Sequence, residues 1–134
     1  KSRLRFPRWP LACAIMNQQS REALIDLLFL SLYLDNHLSL AEDEVLTAAL
    51  ESLGWESAEP REKHIWKAFS KARDAAADAI KTESFLNERT VPIKSHGDEG
   101  PALTWLSRVL GSDGLSYTEQ HVLKQIESRL YQNG

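Results

Sequence analysis

With 134 residues, 26% of them charged, the chain is sized for one domain with a buried core and has the make-up of an ordinary soluble globular protein. Its net charge of −3 is unevenly spread: residues 1–15 hold Lys1, Arg3, Arg5 and Arg8 and no acid (+4), while the other 119 residues hold 12 bases and 19 acids (−7). An acidic body argues against nucleic acid as a partner and favours cations or basic proteins, and the lone Cys13 rules out an internal disulfide, which fits a reduced, cytoplasmic setting.

Met16 is the only methionine, and a clean helical pattern follows it. We therefore read residues 1–15 as an N-terminal extension, non-native or flexible, and residues 16–134 as the folded domain. Pro7 and Pro10 interrupt the apolar part of the extension and leave no signal-peptide core.

A first helix is expected over residues 20–34, with Ser20 as N-cap and Glu22 in the first turn. From Ala23 to Leu34 it is apolar on nearly every face, the pattern of a central helix. Asp26 interrupts it, and the run is too short to cross a bilayer, so no membrane span is expected. A second helix is expected over residues 40–53. Ser39 and Glu42 form an S-x-x-E capping box, Val45, Leu46, Ala49, Leu50 and Leu53 give one apolar face, and Gly54 ends the helix. Trp55 is placed to fold back over that end.

Pro60 opens a third, amphipathic helix whose apolar stripe is Ile65, Trp66, Phe69, Ala72, Ala76 and Ile80. Thr82 is read as the cap of a short further helix through Arg89. Residues 90–100, with Pro92, Gly97 and Gly100, read as a long mobile loop. A helix opening at Pro101 and a last one running to about Tyr131 complete the chain, the last capped by Ser116 and Glu119. Nothing alternates with period two over a useful length. The expected fold is all-α, a single-domain bundle of five to seven helices.

One unit is used twice. At a shift of 77 positions Leu38, Ser39, Glu42, Val45, Leu46 and Leu53 fall on Leu115, Ser116, Glu119, Val122, Leu123 and Leu130. Each copy reads as an apolar helix, an acidic turn and a capped second helix. Asp35 and Glu42 bracket the first turn, Asp113 and Glu119 the second. Carboxylates grouped this way suit a hard cation such as calcium or magnesium, although the same residues also serve as ordinary turn and cap residues. An EF-hand is excluded: counting from Asp35, Leu40 stands where the glycine belongs and Leu46 where the bidentate glutamate belongs.

Of the four histidines, His37, His64, His96 and His121, only His37 beside Asp35 and His121 near Glu119 adjoin the acidic turns, and each of these two is read as a solvated side chain. No histidine or cysteine spacing suggests zinc, and neither a G-x-S-x-G elbow nor a glycine-rich phosphate loop is present. The tryptophans Trp55, Trp66 and Trp105 are assigned to the core. A non-enzymatic role is expected; a metal-dependent hydrolase using His37 would need a nucleophile or base that the pattern does not supply.

The stretch Asp35-Asn36-His37-Leu38-Ser39-Leu40-Ala41-Glu42 follows an Asp-Gly-x-(Ile/Leu)-Ser-x-x-Glu pattern with Asn36 for glycine. Ser112-Asp113-Gly114-Leu115-Ser116-Tyr117-Thr118-Glu119 keeps Leu-Ser-x-x-Glu and moves Asp-Gly one place closer. Over residues 20–131 the chain resembles the TerB-like tellurite-resistance domain, related to the N-terminal domain of DjlA-type co-chaperones. The resemblance implies an all-helical domain of two related halves, acting in stress response or signalling through a protein partner. It also implies a divalent cation held by acidic clusters, which by position are Asp35, Glu42, Asp113 and Glu119. The alternative expectation is a metal-independent interaction module, an adaptor or an immunity-type inhibitor, using the same acidic face.

Overall fold

The computed structural model describes residues 16–35, 48, 50–111 and 116–131. The protein is all-helical. Five helices are bounded within the described residues: α1 Gln18–Asp35, α2 Arg61–Ala76, α3 Ala79–Ser95, α4 Glu99–Leu110 and α5 Tyr117–Leu130. Residues 50–53 are also helical and lead into Gly54.

Helix α1 is the centre, as its long apolar run requires, and it packs against each of the other four bounded helices. Leu24, Ile25, Leu27, Leu28 and Leu30 are all buried. Each such side chain contributes roughly 1.5–3 kcal/mol by leaving water. From the second half, α4 adds Trp105 and Leu106 and α5 adds Val122, Ile126 and Leu130. Leu53 and Leu130, equivalent under the 77-residue shift, are both buried. Helix α2 is held differently. Its fully buried residues are three alanines, Ala68, Ala72 and Ala75, and its main bulky anchor is Phe69, whose ring lies 5.4 Å from Phe29 and 5.2 Å from Tyr33.

Several boundaries differ from the sequence expectation. Helix α1 starts two residues before Ser20, and the Gln19 amide is taken by Asn17 Oδ1 at 2.9 Å. Ser20 is buried inside the helix and donates to Asp98 Oδ2 at 2.6 Å. The third expected helix breaks at residues 77–78, where Asp78, rather than Thr82, caps α3 by accepting from the Ile80 amide. Thr82 instead donates to the Ala75 carbonyl at 2.7 Å.

The expected loop over residues 90–100 is helical as far as Ser95, with Pro92 inside α3. Pro92 removes one helical amide donor, and the helix ends within a turn of it; the neighbouring Thr90 and Ile93 are buried and anchor that turn. The helix closes through Gly97 at φ 69°, with Gly97 N–H donating to Lys94 O and Asp98 N–H to Ile93 O, a Schellman arrangement.

Burial corrects the expected stripe of the third helix as well. Trp105 is in the core and Trp55 packs against it, but Trp66 is 73% exposed and Ile80 74% exposed. The break after Ala76 removes Ile80 from the stripe, and Trp66 lies on the outer side of α2. The chain ends its first half as expected. Gly54 adopts φ 85°, a left-handed backbone that favours glycine, while a Cβ there would make only an ordinary contact, 3.6 Å from the buried Arg21 guanidinium. Trp55 donates its indole N–H forward along the chain, to the Glu59 carbonyl at 2.6 Å, rather than back over the end of the preceding helix.

No helix among the described residues is long and apolar enough to cross a membrane.

Candidate functional site

Two polar constellations stand out, one at the C-terminal end of α1 and one at its middle. The first joins the acidic turns. Asp35 is the last residue of α1, and its Oδ1 accepts from Ser116 Oγ–H at 2.8 Å. Ser116 is the N-cap of α5: its Oγ accepts from the Glu119 amide at 3.0 Å, and Glu119 Oε1 accepts from the Ser116 amide at 3.0 Å. The second capping box is therefore present as the sequence predicts, and a carboxylate from the first half completes it. With its hydrogen turned to Asp35, the Ser116 hydroxyl presents its lone pairs to Glu119 N–H, and the carboxylate polarises it into a better acceptor. Asp35 stands at the unfavourable end of its own helix dipole, but at the favourable, N-terminal end of α5. Glu119 is 2% exposed, Asp35 half-buried.

Of the four expected cation ligands, the fold thus brings Asp35 and Glu119 to the same cap. Glu42, Asp113 and His37 lie outside the described residues. Among the described residues, no group of three or more His, Cys, Asp or Glu is arranged to hold a metal ion.

The second constellation is a cleft of about 490 Å³ between α1, α2 and α3. At its floor is Asp26, 6% exposed, the one acid inside the apolar run of α1. Its Oδ2 accepts from Arg89 Nε–H at 2.7 Å, and its Oδ1 lies 3.2 Å from His64 Nε2. His64 Nε2 also lies 3.1 Å from the Glu22 carbonyl. A carbonyl only accepts, so Nε2 carries a hydrogen. That hydrogen points at Glu22 O, and Asp26 Oδ1 receives no aligned hydrogen bond, so the ring's hold on Asp26 depends chiefly on its charge. Burial pulls the imidazole down, but the close contact and charge of Asp26, with the Glu22 carbonyl and carboxylate, outweigh it and hold His64 above its ordinary value of 6.5. Arg89 is fixed further by Glu88 Oε1 at 3.1 Å and by the Phe85 ring, 4.4 Å from its Cζ.

The sequence pattern gives His64 no role, yet its side chain is 12% exposed and its ring lies 5.7 Å from that of Trp55. The signal is Asp26 itself, because a carboxylate in the middle of a core helix must find cationic partners. His121 is exposed, as expected, and so is His96.

No family model, curated protein or solved structure matches the chain.

Proposed function

We propose that this chain is a non-enzymatic, cytoplasmic helical domain, TerB-like in its resemblance, for stress response or signalling. On this reading its acidic turns bind a divalent cation such as calcium or magnesium, a basic protein partner, or both. The observation that supports it is the 2.8 Å bond from Ser116 to Asp35, which joins the turn of one half to the helix cap of the other. Two carboxylates on one cap, at the positive end of a helix dipole, give a negative centre to which Glu42 and Asp113 would add.

The test is calorimetric titration of chelator-stripped protein with calcium, magnesium, manganese and zinc, beside the double variant Asp35→Asn/Glu42→Gln. Saturable binding by the wild type, lost in a variant that keeps its helical circular dichroism, is the expected result. Equal binding by both proteins overturns the role of these carboxylates. Absence of heat with every ion leaves the second reading, a metal-independent adaptor or immunity-type inhibitor. Tyr117 favours that alternative: it adjoins Ser116 and is 86% exposed, and exposed tyrosines are enriched in protein interfaces.

A further inference from the structure

Helix α2 has a thin apolar attachment and a strong polar one. Its fully buried side chains are Ala68, Ala72 and Ala75, each with little surface to take from water. Ile65 and Phe69 are only partly buried, and Trp66 points outward. Against this stands His64, one turn into the helix, with its ring between the Glu22 carbonyl and the Asp26 carboxylate of α1. The polar contact thus adds to what Ile65 and Phe69 contribute in holding the first half of α2 in place.

The charge on that contact is set by the groups around the ring. From α1 they are Glu22 and Asp26; from α3, Glu88 and Arg89; from the connection before α2, Glu59. From α2 itself come Lys67, paired with Glu59 at 3.2 Å, and Lys71. Arg89 is permanently charged and already occupies Asp26 Oδ2. Only His64 changes its charge near neutrality, and it faces the other oxygen of the same carboxylate.

We propose that His64 is a proton-controlled latch: charged, it pins α2 to Asp26 of α1; neutral, it releases the first half of α2 and widens the cleft between α1, α2 and α3. The neutral ring keeps its hydrogen bond to Glu22 O but loses the charge on which its contact with Asp26 Oδ1 depends. The sign follows from the raised affinity for the proton. The stabilisation is fully present below about 6.5, the unfolded value, and is lost as pH rises through the higher folded midpoint. Release is local, because α4 and α5 carry their own large buried side chains.

The experiment uses the full chain. The His64 ring is titrated by NMR, and amide exchange is followed in α2 and, as an internal reference, in α4 and α5, each corrected for intrinsic exchange at that pH. A His64 midpoint above about 6.5 is expected. Protection of the first half of α2, relative to α4 and α5, should fall about tenfold for each unit by which the midpoint exceeds that value. His64→Gln, which retains a donor for Glu22 O but cannot be charged, should show the high-pH protection at every pH. Asp26→Asn, where it folds, should lower the His64 midpoint. A midpoint at or below about 6.5 overturns the proposal. So does an α2 protection profile that is the same in wild type and His64→Gln.

Discussion

Asp26 and Asp35 lie on the same helix, yet Arg89 and His64 meet the first, while a serine hydroxyl, Ser116, meets the second. Nine residues separate them, roughly 14 Å of helix. Asp26 is in the core, where a bare carboxylate is costly and needs full charges opposite it. Asp35 is at a helix end, half in water, and one of its partners there is a neutral hydroxyl at the positive end of α5. Depth sets what a carboxylate needs opposite it. The two regions also differ in role: one bears on how α2 is held, the other joins the two halves of the chain.

The comparison is broken most readily at Asp26. Asp26→Ala leaves Arg89 and His64 without their counter-charge and should cost about 3–5 kcal/mol in urea unfolding. A loss below about 1 kcal/mol would place Asp26 in the same class as a surface charge and erase the distinction. Ser116→Ala removes a cap from α5 and should cost about 1 kcal/mol by the same measurement. Combining it with Asp35→Asn sharpens the result. Because the two share one hydrogen bond, the double variant should lose less than the two single losses together, and strict additivity would show that the bond contributes nothing. The smallest effect is expected at the rim of the cleft. Lys67 is 54% exposed and Glu59 37%, so Lys67→Gln should change stability by no more than about 0.5 kcal/mol, screened further by salt.

The parts of the fold that local chemistry determines were legible in the sequence. The Ser116–Glu119 box, the glycine after residue 53 and the mostly apolar run of α1 depend on neighbours within a few positions, and each is found as read. What failed depended on distant contacts. Pro92 suggests a loop until Thr90 and Ile93 are seen to be buried around it. Trp66 fits an apolar stripe by spacing, but α2 meets its neighbours through alanines, which leave that ring outside. The candidate site divides in the same way. Glu119 was legible as a cap residue, whereas the Ser116–Asp35 bond spans 81 positions and the Asp26–Arg89 pair spans 63. A helical repeat carries no information about which distant side chain will arrive opposite a given carboxylate.

Phe69 has a mechanical consequence on the latch proposal. Its ring rests against both Phe29 and Tyr33, five residues beyond His64 on α2. Those contacts are between aromatic rings and do not involve the charge on His64. Phe69 thus serves as a fulcrum, with His64 roughly 7–8 Å along one arm and the start of α2 roughly 12 Å along it. When the proton leaves, α2 tilts about that ring rather than detaching. The largest displacement then falls at Arg61, whose guanidinium donates to the Leu50 carbonyl, so a titration at His64 is carried as motion into the end of the preceding helix.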